Sequence, residues 1–282
     1  MGDALAALRE GVLDLYCEEA FYFGADKEAR LAASAAPLIA AARALQPSTA
    51  GGRAEVALLL GRALDVASAY SPAAEEALSR AVRLDPTSAE AWSALGHCAW
   101  KKGDLAAAAA HYGASVKRRP TPEALRSLSQ LARASLARGA PLEVARAAHA
   151  DSVAHAKAAV ELALEDGPSW AVLGLAHLST ANAVSRDEED YRRAARAFTR
   201  AASLEAEGAR DPTLHVNRAA ALSFLEDYAG ALAAYALAGQ LDPSLNSAVR
   251  GVAGGMRASE QSKLTHHSPP PRRSSSPTSA AT

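Results

Sequence analysis

Eight histidines, two cysteines and a cluster of glycines near residue 250 are the side chains of this 282-residue chain that could carry chemistry. None falls into a working pattern. His149 and His155 are six apart and do not share a helix face. No His-Glu-x-x-His run occurs, and no Cys/His set has zinc-finger spacing. Gly251, Gly254 and Gly255 lack the Lys-Ser/Thr that completes a phosphate loop. No Gly-x-Ser-x-Gly elbow is present. His177 occupies a core position, and Cys98, between His97 and Ala99, reads as a small buried hydrophobe. The chain is therefore expected to bind rather than to catalyse, with no cofactor and no metal.

The composition says what kind of elements must position any binding residue. Hydrophobic residues make up 49% but aromatics only 5%, and alanine is about a quarter of the chain. Small helix-favouring side chains argue against a β-sandwich or barrel, which wants β-branched and aromatic residues. The net charge of -1 gives no overall pull toward nucleic acid or anionic membrane. No apolar run is long enough to span a bilayer. Met1-Gly2 is followed by Ala6, where a myristoylation signal wants Ser or Thr, and no cationic region precedes an apolar core. Two distant cysteines, Cys17 and Cys98, build no disulfide framework. A cytoplasmic, and also nuclear, protein is expected.

Order carries more than composition. Trp92, Leu95 and Gly96 spell W-x2-L-G, followed by Ala108, Tyr112, Ser115 and Pro120. That is the 34-residue tetratricopeptide (TPR) pattern of two antiparallel helices. Gly96 allows close approach of the partner helix, Ala108 fills the point of contact, and Trp92, Leu95 and Tyr112 are expected in the core. Gly103-Asp104 makes the turn, and Pro120 ends the second helix. The second-helix grid recurs at Ala74, Leu78, Ala81, Pro86; at Ala156, Val160, Ala163, Pro168; and at Ala231, Tyr235, Ala238, Pro243. Leu60-Gly61 and Trp170, Leu173, Gly174 mark first helices. Four repeats carry the pattern well, and each must bury its apolar face on a neighbour.

The fold expected is an all-α TPR helix-pair solenoid in three parts. Residues 1–50 form an N-terminal capping pair jointed near Phe23 to Asp26. Residues 51–263 form an irregular TPR array, closed by a glycine-weakened helix from Ser244 to about Lys263. Residues 264–282 form a Ser/Pro-rich disordered tail. Leu128 to Ala156 spans 28 residues where a regular repeat has 13, and Leu173 to Ala194 spans 21. Inserts therefore fall near 139–152 and 180–190. The acidic run Asp187 to Asp190 in the second is read as a solvated loop or a helix's first turn.

A TPR array binds extended peptides with its first helices. By repeat position, Trp100, Lys101, Arg126, Gln130, Arg133, Asn217 and Arg250 face the groove. Lys101, Arg126, Arg133 and Arg250 make it mildly basic, suited to an acidic side chain or a free carboxylate. The Asn217 amide can hold a peptide backbone. Arg80 and Arg83, three apart on a second helix, form an outer basic pair.

Several stretches go beyond the generic repeat. They are Ser71 to Pro86, Glu90 to Gly96 with Trp100-Lys101-Lys102-Gly103-Asp104, Asp151 to Val160, Asp166-Gly-Pro-Ser-Trp170 and Leu214-His-Val-Asn-Arg-Ala219. With the Leu15-Tyr16 helix and the two inserts, the chain from about Leu13 to Leu245 resembles the tetratricopeptide repeat protein 5 (Strap) family. The resemblance implies an irregular TPR superhelix that reads the Met-Arg-Glu start of nascent tubulin at the ribosome and triggers tubulin mRNA decay. It also implies a stress-responsive scaffold for a transcriptional co-activator complex. Arg133 matches the groove arginine suited to the peptide's Glu, and Arg80 and Arg83 match a pair suited to the ribosome surface. Expected partners are thus a nascent chain, the ribosome, and co-activator or mRNA-decay adaptors, with no membrane and no DNA sequence recognition. Two departures stand out. Thr213 and Ser247 occupy places where acids would meet the peptide's Arg, with Asp211 and Asp242 only nearby. The family's C-terminal OB-fold is expected to be missing. The alternative reading is a general TPR scaffold, either a transcriptional co-activator cofactor or a chaperone co-factor that grips a C-terminal carboxylate.

Overall fold

The computed structural model describes residues 2–21, 26–137, 139–204, 211–246 and Gly251, excluding the side chains of residues 20 and 21. Within them the chain forms α-helices and no strand. The helices are α1 (Gly2–Phe21), α2 (Lys27–Ala44), α3 (Ala50–Leu64), α4 (Pro72–Leu84), α5 (Ala89–Lys101), α6 (Leu105–Arg118), α7 (Pro122–Ala134), α8 (Leu142–Leu162), α9 (Gly167–Thr180), α10 (Glu188–Leu204), α11 (Pro212–Phe224) and α12 (Tyr228–Leu241). A π-helical turn, Ala181–Ser185, extends α9, and a 3-10 turn, Pro243–Leu245, follows α12. The chain divides into two compact units, Met1–Arg210 and Asp211–Thr282. No helix among the described residues is long and apolar enough to cross a membrane.

Short polar side chains start the helices. Thr49, Ser71, Ser88, Asp104, Thr121 and Asp166 each accept a hydrogen bond from a backbone N–H of the first turn. Pro72, Pro122 and Pro168 sit in first turns, where no N–H partner is lost. Gly103, at φ +85, closes the α5–α6 turn in a conformation open to glycine.

In the first unit, consecutive helices pack as antiparallel pairs: α3 on α4, α5 on α6, α7 on α8, α9 on α10. First helices also touch one another, α3 with α1 and α5, α7 with α9. The pairs close on glycine. A Cβ on Gly61 would lie 2.5 Å from Leu78, one on Gly174 2.7 Å from the Phe198 ring, and one on Gly96 3.0 Å from Tyr112. Ala74, Ala108, Ala156 and Ala194 are fully buried at the matching contacts. The N-terminal pair packs Leu8, Val12 and Leu15 of α1 on Leu31 and Ala35 of α2 and on Leu59 of α3. The second unit pairs α11 with α12 around Ala219, Ala234 and Tyr235.

The additional residues before Ala156 extend α8 at its N-terminus to 21 residues. Leu142 and Val144 of that extension are about half exposed. The later additional residues form the π-helical turn, a left-handed Arg186 at φ 51, and the acidic first turn of α10. That turn is the favourable end of the helix dipole for carboxylates. The tryptophans differ from the expectation of plain core residues. Trp92 is half-buried and its indole donates to the Pro86 carbonyl at 3.0 Å; Trp170 donates to the Leu164 carbonyl at 2.8 Å. An indole N–H needs a partner, so each ring ties its helix to the loop before it. Most of the joint near Phe23, most of the helix expected from Ser244 to about Lys263, and the tail lie outside the described residues.

Candidate functional site

α7 carries three of the expected groove residues in one line. Thr121 caps it and Pro122 starts it, so Arg126, Gln130 and Arg133 fall four and three residues apart on one helical stripe. Arg126 forms an ion pair with Asp166 and lies 3.4 Å from the Ser169 hydroxyl. Asp166 also caps α9, so this arginine stitches α7 to the start of α9. Gln130 is exposed.

Arg133 differs. Its Nη1 donates to the Ser129 carbonyl at 3.2 Å, the Ser129 hydroxyl at 3.1 Å and the Ser152 hydroxyl at 2.5 Å. Both serines are fully buried, with their hydroxyls 3.0 Å apart across the α7–α8 contact. No carboxylate among the described residues neutralises Arg133. Burial pulls its pKa down, yet a guanidinium keeps its charge. His149 lies one turn before Ser152 on α8 and is buried, its Nδ1 without a hydrogen-bond partner. Burial, and then the Arg133 charge, push its pKa below the ordinary imidazole value.

On α5, Lys101 turns toward the end of α3. Its ammonium donates to the Asp65 and Ala67 carbonyls, the second at 2.7 Å, and lies 3.5 Å from the Asp65 carboxylate. His97 Nδ1 lies 2.8 Å from the other Asp65 oxygen. Asp65 is 1% exposed at a helix C-terminus, the unfavourable end of the dipole for an anion, and these two groups offset that. A cavity of about 300 Å³ opens where α1, α3, α5 and the start of α7 line up, bordered by Tyr16, Arg62, Ser93, His97 and Glu123. Trp100 packs on the core of Ala99, Ala108, Tyr112 and Leu131.

The sequence positions thus separate. Lys101 and Arg126, expected to lend the groove positive charge, are each taken up by a carboxylate of the fold, because half-buried charges need partners. Arg133 keeps an unneutralised charge. Asn217 is half-buried on α11 in the second unit. Arg250 and Ser247 lie outside the described residues. Arg80 and Arg83 are exposed on α4. Sequence reasoning did not find the Asp65–His97–Lys101 network or the serine pair behind Arg133. The available signal was Ser129, a polar residue standing where other repeats carry the glycine of their Leu-Gly pair (Gly61, Gly96, Gly174).

Comparison with known proteins agrees with the fold. The tetratricopeptide repeat family pattern matches residues 89–122. The chain is 37% identical over 194 residues to tetratricopeptide repeat protein 5 of Homo sapiens, covering 68% of this chain and 43% of that protein. It is 38% identical over 193 residues to the Bos taurus protein of that name, with the same coverage. The chain thus spans under half the length of the curated relatives it matches. Among solved structures it is similar to the APC/C hetero-tetramer Cut9-Hcn1, with TM-score 0.60 at 16% identity over 85% of this chain and 44% of that chain. It is also similar to the apo form of RapI, with TM-score 0.55 at 13% identity over 92% of this chain and 73% of that one. These likenesses show the fold.

Proposed function

This chain is a tetratricopeptide repeat protein whose array is related to that of the tetratricopeptide repeat protein 5 family, and from that premise we propose that it is an adaptor reading the N-terminus of nascent tubulin at the ribosome. The observation that carries the reading is Arg133. It is a charged guanidinium fixed by two buried serines and left without a carboxylate among the described residues. A preformed cation of this kind favours a carboxylate partner and spends little ordering entropy on it. A peptide Glu at the third position supplies that carboxylate. The exposed Arg80 and Arg83 give the adaptor an outer basic contact for the ribosome surface.

The test uses an immobilised Met-Arg-Glu peptide beside a scrambled control. The peptide is expected to capture the protein, the scramble to fail, and Arg133→Glu to abolish capture. Equal capture by both peptides overturns the reading. The scaffold alternative, in its chaperone form, is checked with a C-terminal Glu-Glu-Val-Asp peptide. A clamp on a free carboxylate must lose that peptide on amidation. Lys101 and Arg126, bound internally, leave little for such a clamp.

A further inference from the structure

The back of α4 belongs to a cleft that the sequence pattern does not announce. α3 packs on both α2 and α4, and between those two outer helices a cavity of about 330 Å³ opens above it. Its floor is apolar, built from Leu45, Leu60 and Leu64, all half-buried. Its rim is basic. Arg43 comes from the last turn of α2, Arg53 from the first turns of α3 and Arg80 from α4. Arg53 donates to the Ser48 carbonyl at 2.7 Å. Arg43 and Arg80 form no ion pair with any described residue. Glu76, one turn before Arg80 and in place for a helical ion pair, lines the cleft as its one acid and does not bind Arg80. Three arginines against one carboxylate leave the mouth positive above an uncovered apolar floor.

We infer that this outer cleft docks an acidic partner peptide, seating one apolar side chain on the leucine floor while flanking carboxylates meet Arg43, Arg53 and Arg80. The volume is at the small end of ligand pockets, which run from about 300 to 1,000 Å³. It suits an anchor side chain rather than a bulky cofactor. Arginine-rimmed apolar pockets are what interface anchors use. The apolar floor is also what separates an acidic protein segment from RNA. A phosphate backbone needs the arginines but gains nothing from the leucines. The inference rests on the adaptor reading for Arg80, and commits that outer contact to protein.

The test reads fluorescence anisotropy of a fluorescein-labelled peptide, Glu-Asp-Leu-Leu-Glu-Asp-Phe-Glu, with the full chain. Binding is expected, and about tenfold weaker binding in Arg43→Glu and in Arg80→Glu. Both residues are exposed on helices, and circular dichroism checks that each variant keeps its helix content. Arg196→Glu makes the same charge change at an exposed residue of α10 that does not line the cleft, and is expected to leave binding unchanged. Replacing Leu and Phe of the probe by Ser is expected to abolish it. No binding of the probe overturns the inference. So does equal loss in Arg196→Glu, which means bulk charge alone, or tighter binding of a single-stranded oligouridylate of equal length, which means phosphate recognition. Arg133→Glu is expected to leave this probe untouched, so failure of the tubulin reading and failure of the cleft are told apart.

Discussion

Lys101 holds a carboxylate that the fold has buried at the wrong end of a helix. Asp65 is almost wholly enclosed, and Lys101 and His97 are the groups that meet it. Removing one partner leaves a buried charge short of compensation, so Lys101→Met is expected to cost about 3 kcal/mol in urea unfolding. The two cysteines should part company. Burial pushes the Cys98 thiol up to about 12, while Cys17 is exposed. Iodoacetamide at pH 8 is expected to label Cys17 alone in the native protein and both after denaturation. Buried histidines give a pH dependence of known sign. Burial holds His149 and His177 below their ordinary pKa, the latter despite Asp190 at 3.3 Å. The unfolded chain therefore binds protons first, near pH 6.5. Stability is full above that pH and falls as the pH drops toward the folded values, by at most about 1.4 kcal/mol per pH unit for each histidine. Thermal melts from pH 7.5 to 5.5 are expected to show this, with a flatter slope in His177→Gln.

At the scale of helices, glycine separates contact from filler. Gly174 faces the fully buried Phe198 ring, where an added Cβ would come within 2.7 Å. Gly174→Ala is expected to destabilise by about 1–3 kcal/mol, since ring and helix must shift. Gly113, inside α6, has nothing within 4 Å of an added Cβ. Gly113→Ala is expected to stabilise by about 0.5–1 kcal/mol through helix propensity and lost chain entropy. Chemical denaturation of the two variants reads both signs. The repeat motif foretold the first of these from Trp170, Leu173 and Gly174, since W-x2-L-G sets the glycine against the partner helix. It did not foretell that Trp92 and Trp170 clamp carbonyls six residues back. That depends on where the loop carbonyl points, which residue spacing does not encode.

The described residues form helix pairs that bury their apolar faces within each unit, so cooperative unfolding need not span the chain. All three tryptophans, Trp92, Trp100 and Trp170, lie in the unit Met1–Arg210, whereas the described helices occur in both units. Tryptophan fluorescence then reports one unit and far-UV circular dichroism the total. The two urea transitions are expected to separate; coincident curves would mean one all-or-none domain.

Fold class was legible in the residues themselves. Alanine and glycine at fixed offsets, with proline after each second helix, leave few ways to bury the apolar faces other than stacked helix pairs. That Arg126, Gln130 and Arg133 share one stripe of α7 followed from helical period alone. Which of those charges stays unneutralised did not. Lys101, Arg126 and Arg133 look alike in sequence, and the partners that distinguish them, Asp65, Asp166 and Ser152, lie 36, 40 and 19 residues away, on other helices or at their ends. Nor could the sequence announce the cleft of Arg43, Arg53 and Arg80, whose members come from three helices. Local patterns fix each helix and its buried stripe, because those depend on neighbours in the chain. Charge compensation and cavities depend on neighbours in space, and only the packed structure supplies those.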